Sequence, residues 1–384
     1  MAWTTVIRAD ELETFGRCRR AWDLGALSRQ RWASTVPFDF LRAVREALAV
    51  YYFPAMDDWP RAIPRELAMK GFVRSMHESR AMGEAVADVT EAQAQVRSFD
   101  EHLEVGRAML ANYFAWAGAE MDVFDSILAD YEIWAPVPDP DQPGTEIGLA
   151  GSRPVRYLGL IDQLIGDTDD EFWIVQHRVV SDGWTDDAEL LDDDLSVGHC
   201  WAMQVSYPQM LISGTIINEL RTDGQLEVEP PAEIVERDQR NAEGGRHPNV
   251  LRSPLTPEER RNASSGGSAG PVDHVVFQQD NGLFRRTVIR RSQASMARMG
   301  LWIADEMKET LRADLEVPPT FSDRCPRCEF ATPCSALEAG ADPEAILAAH
   351  FVRRDEDTDT DNLRRSKVRG ARQGTSGTVN FRWG

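Results

Sequence analysis

The chain has 384 residues, of which 42% are hydrophobic, and carries a formal net charge of −21. That is enough apolar material for a large core, and no apolar run approaches the ~18–20 residues of a membrane span. The acidic balance repels a phosphate backbone, so contact with nucleic acid would need local basic patches. Met1 to Asp10 is neither basic nor continuously apolar, unlike a signal peptide, and a cytoplasmic protein is expected.

Leu12, Phe15 and Trp22 predict a helix over 9–27. Leu41, Val44, Leu48 and Tyr51 recur at three- and four-residue spacing and predict a second over 40–52. The pattern stays helical from 66 to 119, so 1–120 is expected to be mostly helical. The texture then changes. Ile127, Leu128, Tyr131, Ile133 and Trp134 mark a strand, stopped by the turn-rich 138–144. Residues 157–165 and 172–180 are two more apolar runs across a tight acidic turn, a β-hairpin pattern. A covering helix is predicted over 200–220. Strands followed by a covering helix give an α/β core over 121–225.

Residues 226–270 are expected to form a flexible loop, with 241–270 rich in Gly, Ser and Asn. In 271–350, Val275–Phe277 and Phe284–Arg290 suggest another hairpin and 292–315 a long helix. The last part, 351–384, is an acidic run followed by a basic tail (Arg364, Arg365, Lys367, Arg369, Arg372, Arg382), a composition typical of disorder.

The five cysteines are an odd number, which argues against a disulfide framework. Cys325-x2-Cys328-x5-Cys334 aims three thiolates at one metal centre. A fourth ligand has to come from far away, from Cys18 or Cys200, and Cys200 sits in an apolar stretch that suits a core. Zinc and iron–sulfur both remain open, because all-thiolate sites serve either.

Taken together, these motifs resemble the RecB/AddB-type iron–sulfur nucleases of the PD-(D/E)XK superfamily, including the CRISPR-associated RecB-like exonucleases. The resemblance covers roughly residues 9–350. It rests on the Cys18 helix, the C-terminal cysteines, Glu132 in Tyr131-Glu-Ile-Trp, the G-x-I-D strand Gly159–Asp162, the strand Phe172–Arg178 where (D/E)-x-K is usual, and Phe284–Arg291. Gln204 and Tyr207 are similar to the helical Q-x3-Y motif, one residue short. The resemblance implies a restriction-endonuclease-like mixed sheet flanked by helices and a 4Fe–4S cluster on Cys18, Cys325, Cys328 and Cys334. It also implies a centre of Glu132, Asp162, Gln176, Arg178, Gln204 and Tyr207 that takes Mg or Mn if active, with Asp162 a possible metal ligand. Asp162 and Gln176 should lie on adjacent antiparallel strands and face one pocket with Arg178.

In this family carboxylates hold the ion, the ion activates water, and a lysine stabilises developing charge. Here Asp162 is kept, but Gln176 replaces the second carboxylate, Arg178 the lysine, and Arg45 the helical histidine found in several relatives. A neutral amide is a poor ligand for a hard cation, and guanidinium does not give up its proton. No lysine lies between Lys70 and Lys308. His177 is directed by strand alternation to the opposite face. Arg17, Arg19, Arg20, Arg285, Arg286, Arg290 and Arg291 are candidate phosphate contacts; taken alone they also suit a solvated surface.

Three readings follow: a DNA-binding protein of nuclease fold that cleaves weakly or not at all, an active divergent Mg-dependent DNA exonuclease, and a metal-stapled scaffold without a nucleic-acid role. The expected partners are single-stranded DNA or duplex ends and a helicase or recombination protein, with no membrane.

Overall fold

The computed structural model describes residues 5–353, apart from 28, 35–37, 57–58, 85–88, 119–123, 150–152, 168–170, 182, 228–271 and 313. Most of the expected loop over 226–270, from 228 onward, and most of the expected tail over 351–384, from 354 onward, lie outside the described residues; Phe351–Arg353, expected within the disordered tail, form a strand instead. The described chain is α/β, a mixed sheet flanked by helices, and forms two units: Met1–Arg19 with Thr35–Thr320, and Arg20–Ser34 with Phe321–Gly384.

The first unit contains the sheet. Its strands are β1 (Thr5–Arg8), β3 (Asp125–Pro136), β4 (Gly148–Leu149), β5 (Arg153–Gly166), β6 (Phe172–Val180), β7 (Ile212–Arg221), β8 (His274–Asp280) and β9 (Phe284–Arg290). They run in the order β1-β5-β6-β7-β9-β8, with β3 and β4 also paired to β5. β6 and β7 are parallel, and β5 and β6 antiparallel. Central β7 is buried on both faces, as strands with parallel neighbours commonly are.

One face carries a core built with α1 (Ala9–Arg17), α7 (Asp194–Ser206) and α8 (Gln293–Thr310). Leu12, Tyr157, Ile161, Trp201, Met203 and Ile303 meet there. The other face is covered by α3 (Phe40–Tyr51), α4 (Ala62–Glu84) and α5 (Val89–Trp116), whose Leu48, Tyr51, Phe72 and Tyr113 pack with Leu220 and Phe284. Burying such side chains contributes about 1.5–3 kcal/mol each before chain entropy is counted. A short helix, α6 (Asp187–Leu191), precedes α7.

The second unit joins an early segment, Arg20–Ser34, to the C-terminal part of the described chain. α2 (Arg19–Gly25, shared at its first residue with the first unit) and β2 (Trp32–Ser34) join α9 (Ala331–Glu338), α10 (Glu344–His350) and β10 (Phe351–Arg353). β10 pairs antiparallel with β2. Leu24, Phe330, Leu347 and Phe351 form its core, with Cys328 packed against it. Gly25 packs closely here: a Cβ would lie 3.1 Å from the Phe330 ring, which would have to give by a few tenths of an ångström.

Three sequence expectations need correction. Residues 200–220 are not one helix: α7 ends at Ser206, and β7 begins at Ile212. Pro208 disfavours helical geometry at Tyr207, and Ile212, Thr215, Ile216 and Ile217 are β-branched. The helix expected over 9–27 is broken at Cys18, which is extended at φ −159° and ψ 109°. The apolar periodicity runs through the break, yet Leu12 is buried in the first unit and Leu24 in the second. The last long helix stops at Thr310 rather than 315, ahead of Pro318 and Pro319. Strand β1 was not expected at all.

Candidate functional site

The site lies where the sheet forks. β3 pairs with one edge of β5 along most of its length. The other edge is shared by β1, opposite Val155–Leu158, and β6, opposite Gln163–Gly166. Between them Gly159–Asp162, the G-x-I-D motif, has no ladder partner on that edge among the described residues. Continuing the β5–β6 register places Asp162 opposite Gln176. In place of a backbone pair, the His177 N–H donates to Asp162 Oδ2 at 2.8 Å.

Asp162 is almost fully covered, and its Oδ1 lies 3.5 Å from Arg45 Nε on α3. Loss of hydration pushes its carboxyl above the ordinary range, opposed by Arg45, the His177 N–H and Arg178. Gln176 turns toward α7, where its Nε2 meets His199 Nδ1 at 3.1 Å. Arg178 links the two sides. Its Nη2 reaches Gln176 Oε1 at 3.4 Å and the Asp193 carboxylate at 2.7 Å, and its charge acts on Asp162. Asp193 is also the N-cap of α7, accepting from the Ser196 N–H.

Glu132 stands across the ladder from Leu160. Two residues earlier, Asp130 has φ +49°, a left-handed geometry uncommon for a non-glycine. Its carboxyl is raised by lost hydration and then by the charges of Asp162, Glu132 and Glu46.

His177 points to the other face, as alternation predicted. Its ring lies 6.0 Å from Tyr52 at 9°, and Nδ1 bonds the Asn218 amide. Asn218 and Arg286 both donate to the Tyr113 hydroxyl, which bonds Tyr52. Burial pushes His177 down to about 3.

Asp130, Asp193 and His199 of this region were missed by sequence reasoning. His199 is buried, pushed down to about 4 by lost hydration, and its Nε2 has no hydrogen-bond partner. It leans over Gly159, where a Cβ would lie 2.8 Å from the ring. Its sequence signal is faint, a lone histidine in an apolar helix.

Gln204 stays outside this group. It donates to the Met210 and Pro208 carbonyls and accepts from the Ile212 N–H, bracing the turn into β7. Tyr207 bonds the Tyr131 hydroxyl at 2.7 Å.

The C-terminal arginines are engaged internally. Arg285 pairs with the fully buried Glu219 at 2.5 Å, and Arg290 with Glu171 at 2.6 Å. Arg286 stacks over Trp116 and Phe124. Arg291 holds the Leu190 and Leu191 carbonyls, Ser196 and Asp273. Arg285, Arg286 and Arg291 are buried in these contacts, and Arg290 is partly buried in its pair. Arg19 pairs with Glu309 at 2.7 Å, Arg20 lies 3.4 Å from Glu338, and half-exposed Arg17 lies 3.8 Å from Glu13.

Among the described residues, no group of three or more His, Cys, Asp or Glu side chains is arranged to hold a metal ion. The fork does not suit Mg²⁺ as it stands: Asp162 is taken by an N–H and a guanidinium, and Gln176 brings no charge. The cysteines have donor chemistry that suits a thiolate centre. In the first unit Cys18 Sγ accepts from the Thr320 N–H at 3.4 Å, and in the second Cys325 Sγ accepts from the Ser322 N–H at 3.3 Å. Cys200 is buried, its thiol bonded to Thr215 and pushed up to about 11.

No family model matches the chain, and no curated protein matches its sequence.

Proposed function

We propose that this chain is a nucleic-acid-binding protein of the RecB-like PD-(D/E)XK type, with a restriction-endonuclease-like core, in which cleavage is absent or very weak. The observation that carries the reading is the fork. On the edge of β5 shared by β1 and β6, the G-x-I-D segment has no ladder partner among the described residues, and Asp162, Gln176 and Arg178 stand at that divergence. The loss of cleavage follows from donor chemistry. Hard divalent cations depend on carboxylates, and the second carboxylate is Gln176. Arg45 neutralises the first.

A 4Fe–4S cluster on Cys18, Cys325, Cys328 and Cys334 belongs to the same proposal. Its support is the cysteine spacing and the N–H···S bonds to Cys18 and Cys325. DNA single strands or duplex ends are the proposed ligand, with a helicase or recombination protein as a candidate partner.

A second reading, a scaffold that binds protein alone, is favoured by the internal engagement of Arg285, Arg286, Arg290 and Arg291 together with the net charge of −21. The two are separated by titrating labelled single-stranded and duplex oligonucleotides with the intact protein and following anisotropy. Saturable, salt-sensitive binding supports the first reading. No binding at low salt leaves the scaffold.

A further inference from the structure

The centre of this chain is surrounded by guanidinium groups where a metal-dependent nuclease has a cation. Arg45 approaches Asp162 from α3 at 3.5 Å, an ion-pair distance too long for a hydrogen bond. Its Nε has no hydrogen-bond partner, and its side chain is 39% exposed. Arg178 is 24% exposed and uses Nη2 alone, on Asp193 and Gln176, so Nε and Nη1 are unengaged among the described residues. The charges of both act on Asp162.

We propose that this fork binds a nucleic-acid phosphodiester without any divalent cation, Arg45 and Arg178 supplying the positive charge and Asp162 anchoring Arg45. The proposal rests on the nucleic-acid reading above and specifies its chemistry. Guanidinium suits the role because its planar donors match phosphate oxygens in pairs. The surrounding acids set a limit. Asp130 and Glu132 flank the fork, while Glu46 is engaged by Arg74 and Asp193 by Arg178. Carboxylate charge beside the fork repels a dianion more than a monoanion, so a phosphodiester inside a strand is favoured over a terminal phosphate. Pairing with Arg45 also gives Asp162 a task that needs no metal. The carboxylate holds the guanidinium and takes the His177 N–H, closing the fork where the ladder stops.

The experiment is anisotropy of a labelled single-stranded oligodeoxynucleotide with the full chain, in EDTA and in Mg²⁺, across a salt series. Affinity should be the same in both within about twofold. Arg45→Gln and Arg178→Gln should each weaken it about tenfold, the scale of removing one bidentate guanidinium–phosphate pair. Each should also reduce the slope of log K against log salt by about 0.7 for every phosphate that is no longer neutralised, which a merely structural role would not do. Arg45 is the more exposed, so Arg45→Gln decides the matter if Arg178→Gln does not fold by circular dichroism. Binding that requires Mg²⁺, or folded variants with unchanged affinity and slope, overturns this proposal and leaves the nucleic-acid reading standing. No binding by the wild type overturns both.

Discussion

The His177 N–H donates to Asp162 Oδ2 at 2.8 Å, so a side chain completes the hydrogen bonding where the β5–β6 ladder ends. The carboxylate therefore has a structural task separate from any chemistry. Asp162→Ala leaves a covered N–H without its acceptor, which costs about 1–3 kcal/mol. Asp162→Asn keeps an acceptor and removes a charge whose carboxyl is raised by burial. A group with a raised folded pKa stabilises the fold in its protonated state and loses that contribution as pH rises. At neutral pH the asparagine variant should equal or exceed the wild type in urea unfolding, and the alanine variant should fall below it.

His177 and His199 act with the opposite pH dependence. Both are lowered from 6.5, to about 3 and about 4. The unfolded chain takes up their protons first, so the stability they contribute is present above 6.5 and is lost as pH falls toward those values. Each contribution is on the order of a few kcal/mol. Raised carboxyls such as Asp162 and Asp130 oppose this trend at lower pH, so the informative quantity is a difference between variants. His199→Gln should flatten the fall in unfolding free energy between pH 6.5 and 4. A pH profile identical to the wild type's would count against a buried neutral His199.

Much of this arrangement was legible in the sequence. The strands over 157–165 and 172–180, their antiparallel pairing and the hairpin after 270 follow from apolar runs and turns. The fork was not, because β1 is only four residues long and pairs with β5 across a separation of 150 residues. The fate of the arginines was hidden for a similar reason. Arg285 and Glu219 are far apart in sequence and meet only through the β7–β9 ladder. His199 and Asp130 matched no expected motif position.

Arg285→Ala should destabilise the protein by about 3–5 kcal/mol, because it leaves Glu219 charged and buried without its partner. Arg285→Met with Glu219→Leu should recover much of that loss. Thermal unfolding of the single and double variants measures both effects. Oligonucleotide affinity of the folded double variant should match the wild type.

For the cysteines, protein purified anaerobically should be brown and carry iron and sulfide in equal amounts, as a 4Fe–4S cluster requires. Cys18→Ser, Cys325→Ser, Cys328→Ser or Cys334→Ser should each lower the iron content sharply. Cys200→Ser should not, because its thiol is buried against Thr215. A colourless protein holding zinc would replace the cluster with a zinc site.

The most direct measurement of the central claim is a cleavage assay on anaerobically purified full-length protein, with end-labelled single-stranded and duplex DNA in Mg²⁺ and in Mn²⁺. The account predicts bound but uncut DNA for the wild type. It also predicts that cleavage appears only when Gln176→Asp and Arg178→Lys are combined with Arg45→His, since groups that act as a unit restore little one at a time. Robust Mg²⁺-dependent cleavage by the wild type, abolished by Asp162→Ala, would contradict it.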